Sequence, residues 1–109
     1  MEARLFLAQR LSAALLAPMV LVHLGTILYA VRAGLSAEAI LARTQGSLLW
    51  ALFYGLFVLA AAVHAPIGLR AVLREWLGWR GRSLELAMIV FGLALAILGL
   101  RAVYAVVAT

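Results

Sequence analysis

His23 and His64 are the only histidines in this 109-residue chain, and each lies within a long apolar run. An ionisable side chain at membrane depth is costly, so an imidazole there is first read as functional. A proton path would add carboxylates at similar depth, yet Glu2, Glu38, Glu75 and Glu85 all fall outside the apolar runs. Zinc would call for further cysteine or carboxylate ligands, and the chain has no cysteine. Haem iron asks for only one or two axial ligands, for which neutral imidazole serves. The competing reading is an imidazole that simply bonds a neighbouring helix. Ala60, His64 and Gly68 share one helical face with Ala61 and Ala65 beside it, a spacing that leaves room for a flat porphyrin. His23 has Gly25 close by but Met19 and Ile27 at the positions one turn away, a more crowded face.

The elements that carry these residues follow from composition. Apolar types make up 68% of the chain and charged types 12%, where a soluble domain carries about 25% charged residues. A soluble fold this short buries only about two-thirds of its unfolded surface, too little to hide so much apolar side chain. The class is therefore an all-α membrane protein with three transmembrane helices, one domain over residues 1–109. Soluble active sites and disulfide scaffolds are excluded, and any iron–sulfur cluster must sit in another chain. The net charge of +5 comes from nine arginines and no lysine. They cluster at the ends of apolar runs, which is membrane topology and not a nucleic-acid surface.

The expected spans are about 11–31, 47–69 and 86–108, each close to the roughly 20 residues needed to cross a bilayer. The first is too long for a leader, lacks a small-residue cleavage site, and holds Pro18, His23 and Tyr29, so it is read as a permanent helix. Arg4, Arg10, Arg70, Arg74, Arg80 and Arg82 lie on one side, against Arg32 and Arg43 on the other. That bias places the N-terminus and second loop in the cytoplasm. Ser36-Ala-Glu38 predicts the start of a short interfacial helix in the first loop. Gly78 and Gly81 mark a turn in the second loop, with the second long helix continuing to about Trp76. Pro18 and Pro66 are expected to kink their helices. At 1.5 Å per residue, His64 lies about 9 Å from Arg70, whereas His23 lies about 20 Å from Arg10. One haem therefore cannot take both histidines of a single chain. Arg101, about two-thirds along the third span, is placed either to pair with a haem propionate or to snorkel to the far interface.

The stretch His64-Ala-Pro-Ile-Gly68-Leu-Arg-Ala-Val-Leu-Arg-Glu75-Trp76 resembles the second-helix motif of the membrane anchors of succinate dehydrogenase and fumarate reductase. In that family glycine follows the haem-ligating histidine by four residues and an acidic residue follows it by eleven, often with tyrosine next. Gln9-Arg10-Leu11-Ser12-Ala13 resembles the start of the family's first helix. With the three-helix plan, the likeness covers nearly the whole chain. Trp76 replaces the usual tyrosine, and its indole N–H can only donate; Phe6 stands where some relatives have serine.

The resemblance implies a haem b-containing anchor in the bacterial-type inner membrane, bound to flavoprotein and iron–sulfur subunits, with no nucleic-acid role. Electrons from the partner's cluster would reach quinone near Arg10, Ser12, Glu75 and Trp76. His64 corresponds to the family's haem ligand, and His23 is the candidate axial ligand of a second haem. Relatives with a single five-helix anchor hold two haems on four histidines, which a homodimer of this chain would match. A heterodimer with another anchor and one haem is the alternative. From other classes, the rivals are a small oligomeric transporter and a haem-free structural anchor.

Overall fold

The computed structural model describes residues 3–108. They form four helices: α1 (Ala3–Ala33), α2 (Ala37–Thr44), α3 (Leu48–Leu77) and α4 (Arg82–Val107). No strand occurs among the described residues. α1, α3 and α4 are each long and apolar enough to cross a membrane. Leu21, Leu52, Val90 and Ile97 are among many large apolar side chains on the outside. Such a surface is costly in water but at home in lipid, where apolar side chains gain nothing by hiding from the solvent.

The long helices extend beyond the charge-free spans. α1 begins at Ala3 instead of near residue 11, and α4 at Arg82 instead of near 86. Charge-free runs mark the stretch that crosses hydrocarbon, whereas backbone hydrogen bonding continues through arginine, leucine and alanine, all good helix formers. α3 runs to Leu77, close to the expected end at Trp76. The molecule is 47 Å long, slightly more than the ~40–45 Å of a bilayer with its headgroups. Pro18 and Pro66 both lie inside continuous helices.

The expected interfacial helix is α2. Ser36 Oγ accepts the Ala39 N–H at 3.1 Å and caps its start. The segment also closes the end of α4, whose last carbonyls have no partners within their own helix. Thr44 Oγ1 donates to Val106 O at 2.6 Å, and the Gly46 N–H donates to Val107 O at 2.7 Å. At the other end, α3 stops on Gly78, which adopts a left-handed conformation (φ 67°). Glycine takes this without the clash a Cβ would bring.

α3 packs against both α1 and α4, which make little direct contact with each other. Ser12, Leu16 and Met19 form the buried stripe of α1. On the α4 side, a Cβ on Gly92 would lie 3.2 Å from both Ala62 O and Pro66 Cγ, and one on Gly99 2.5 Å from Val58 Cγ1. Small residues let membrane helices approach this closely.

Arg70 Nε donates to Glu85 Oε1 at 2.6 Å, joining α3 to α4 at the arginine-rich end. The carboxylate is about half exposed, at 48%, so water and salt screen the pair. Glu85→Gln is therefore expected to cost less than about 1 kcal/mol, and less still in high salt. Thermal denaturation in detergent at two ionic strengths measures both.

Candidate functional site

The two histidines lie in one seam. His64 projects from α3 to α1, with Nδ1 3.4 Å from Ser12 Oγ. His23 projects from α1 to α3, with Nδ1 3.3 Å from the Tyr54 hydroxyl. Its ring also meets Tyr54 and Phe57 edge-on, at centroid distances of 5.6 and 5.3 Å. α1 and α3 run antiparallel, so each step forward on α1 is matched by a step back on α3. Ser12 and His23 are eleven residues apart, and their partners His64 and Tyr54 are ten apart. The imidazoles are thus separated by about 15 Å along the helix axes.

Each imidazole has a hydroxyl neighbour anchored to α1 backbone. Ser12 Oγ donates to Gln9 O at 3.1 Å, and Thr26 Oγ1 donates to His23 O at 2.6 Å. Tyr54 stands 3.2 Å from Thr26 Oγ1 as well as beside His23. Both histidines are half-buried. Neither Nε2 makes a hydrogen bond among the described residues.

The surroundings of the two rings differ from the expectation. The small-residue face around His64 is occupied by α1: Ala60 is 6% exposed, and a Cβ on Gly68 would stand 3.1 Å from Gln9 Nε2. Ala60 and Gly68 therefore serve close helix approach within the chain, because α1 covers the face that looked open in the sequence of α3 alone. The roomier apolar space adjoins His23. A cavity of about 450 Å³ lies elsewhere, between α3 and α4, but one of about 430 Å³ is lined by His23, Phe57, Ala61, Gly99 and Ala102.

Ser12 is brought against His64. Arg10 is exposed, its guanidinium 5.7 Å from the Phe6 ring centroid. Glu75 borders a shallow concavity of about 200 Å³ with Arg70, Arg74 and Arg80. Trp76 beside it is 81% exposed. No hydrogen bond or ion pair joins Arg10 to Glu75 or Trp76 among the described residues. Arg101 is exposed on α4. Tyr54 was missed by sequence reasoning. Its signal was position: it lies ten residues before His64, nearly matching the interval from Ser12 to His23.

What the seam can hold is limited by its donors. No group of three or more histidine, cysteine or acidic side chains gathers among the described residues, so they do not build a closed zinc site. Single neutral imidazoles in apolar surroundings suit haem iron, which takes its remaining ligands from the porphyrin and one further side chain.

Residues 1–100 match the model of the succinate dehydrogenase/fumarate reductase transmembrane subunit family. The chain belongs to this family. As a member of the succinate dehydrogenase/fumarate reductase transmembrane subunits, it is a multi-pass membrane protein whose three long helices are the membrane part. No match was found among curated proteins or among solved structures.

Proposed function

We propose that this chain is a haem b-containing anchor that passes electrons between a partner iron–sulfur subunit and membrane quinone. The observation that carries the reading is the pair of imidazoles in the α1–α3 seam, each with a hydroxyl at Nδ1 and, among the described residues, no hydrogen bond at Nε2. Membership of a family of dehydrogenase and reductase membrane subunits supports the same role. His64 would hold a haem, and His23 would hold a second. Haem, when bound, supplies a one-electron carrier within the membrane.

Each histidine offers one ligand, and about 15 Å of helix separates them. A haem at either histidine would therefore draw any second protein ligand from another chain, either a second copy or a different anchor. Flavoprotein and iron–sulfur subunits complete the complex and perform the dicarboxylate chemistry. Arg74, Arg80 and Arg82 at the arginine-rich end present positive charge to that partner and to lipid phosphate.

At the same end, Arg10 supplies charge-assisted donors for a quinone oxygen, and Trp76 adds an indole N–H. Glu75, next to Trp76 in sequence, provides a carboxylate at this end. Ser12 contributes through its position next to His64. Arg101 on the outer part of α4 is the cation available to a propionate. Isolation of the complex through a tag on this chain tests the role. Flavoprotein and iron–sulfur subunits are expected to accompany it, and Arg10→Ala is expected to raise the KM for quinone. Isolation without those partners, or an unchanged KM, would contradict the assignment.

A further inference from the structure

The hydroxyls around the two imidazoles decide where each ring carries its proton. The Ser12 hydroxyl has a single proton, and its nearest acceptor is Gln9 O at 3.1 Å, a carbonyl that can only accept. Ser12 Oγ therefore turns lone pairs towards His64, and Nδ1 is the atom that can donate in the 3.4 Å contact. The same bookkeeping applies at the other end of the seam. Thr26 spends its proton on His23 O at 2.6 Å. With that proton spent, Tyr54 is the group that can donate across the 3.2 Å contact to Thr26 Oγ1. Its oxygen is left to accept from His23 Nδ1 at 3.3 Å.

We infer that Ser12, and Tyr54 with Thr26, are positioning residues that hold the proton of each imidazole on Nδ1 and leave the Nε2 lone pair as the donor atom. Both relays end on an α1 carbonyl three residues before the hydroxyl that reaches it: Gln9 for Ser12 and His23 for Thr26. The device repeats even though one imidazole belongs to α3 and the other to α1. Metal-bound histidines usually donate their second N–H, which fixes tautomer and ring orientation. A carboxylate is a common acceptor, but at membrane depth it would bring an uncompensated charge. Hydroxyls anchored on helix carbonyls orient the ring without that charge.

The tautomer is inferred from the hydrogen bonds alone; its use to present Nε2 to iron rests on the haem reading above. The test is ¹⁵N spectroscopy of the histidine side chains in the intact complex, with haem spectra of the same samples. Both histidines are expected to show protonated Nδ1 and unprotonated Nε2. Ser12→Ala is expected to disturb His64 alone, and Tyr54→Phe His23 alone. In the haem spectra, Ser12→Ala is expected to raise the midpoint potential of one component, because the ring loses the acceptor that made it a stronger donor. It is also expected to weaken haem retention about tenfold, with Ser12→Thr restoring both. A protonated Nε2 in the wild-type complex, or an unchanged His64 signal in Ser12→Ala, would overturn the inference. A colourless complex with protonated Nδ1 would support the tautomer assignment while contradicting the haem reading.

Discussion

Replacing His64 by alanine is expected to remove at least half of the b-type absorbance of the purified complex while leaving the helices in place. The methyl group cannot ligate iron, and among the described residues no other metal-ligating side chain shares the site: Ser12 is its polar neighbour, and Ala60 and Gly68 flank it on α3. The cost to the fold is small by comparison. Half-buried His64 has one long contact with Ser12, and an interhelical hydrogen bond within a membrane averages about 0.6 kcal/mol. A loss of half the absorbance means that His23 still holds a second haem, and a complete loss means that the anchor carries one. Reduced-minus-oxidised spectra of mutant and wild type, normalised to chain content, measure it. An unchanged spectrum would show that His64 is not an axial ligand.

The largest structural effect is expected at Gly99. Even a methyl group there would stand 2.5 Å from Val58 Cγ1 and 2.9 Å from Cγ2. Valine is β-branched and strongly restricted to one side-chain rotamer in a helix. It cannot swing aside, so α3 and α4 must separate. Gly99→Val is expected to cost at least the 1–3 kcal/mol typical of overpacking, lowering the denaturation temperature and the amount of chain recovered from membranes. Val58→Ala in the same chain is expected to restore much of the loss by emptying the space that Gly99 now faces. Gly55→Ala is the control, because nothing lies within 4 Å of its Cβ position. If Gly99→Val and Gly55→Ala behaved alike, the close α3–α4 approach would be wrong.

Much of this architecture is legible in the sequence because hydrocarbon imposes simple demands. A run of about 20 apolar residues must cross as a helix, since its backbone groups find no water inside the bilayer. The three spans and their loops follow from that rule, and Ser36 announced α2 through its capping side chain. Helix ends were less legible. Arg4, Arg10 and Arg82 interrupt the apolar pattern without interrupting the backbone ladder.

The seam divides similarly. His23 and His64 stand out as rare ionisable groups, and the motif that follows His64 pointed to the family confirmed over residues 1–100. Their partners were hidden because contact between antiparallel helices depends on register, which neither helix reveals alone. Ala60 and Gly68 illustrate the same limit. Small residues on one helix make room equally for a cofactor or for another helix, and here α1 fills it. Gly92 and Gly99 give no stronger signal in sequence than Gly25 or Gly55, yet only the first pair meets a neighbouring helix closely.

The haem content of the intact complex tests the central claim most directly. The complex is isolated in mild detergent through this chain, and a reduced-minus-oxidised spectrum is set against the number of chains present. The account gives a b-type spectrum, with two haems for two copies of this chain in a homodimer, or one haem for one copy of this chain and one of a second anchor. A complex that keeps its flavoprotein and iron–sulfur partners but shows no b-type spectrum would contradict it.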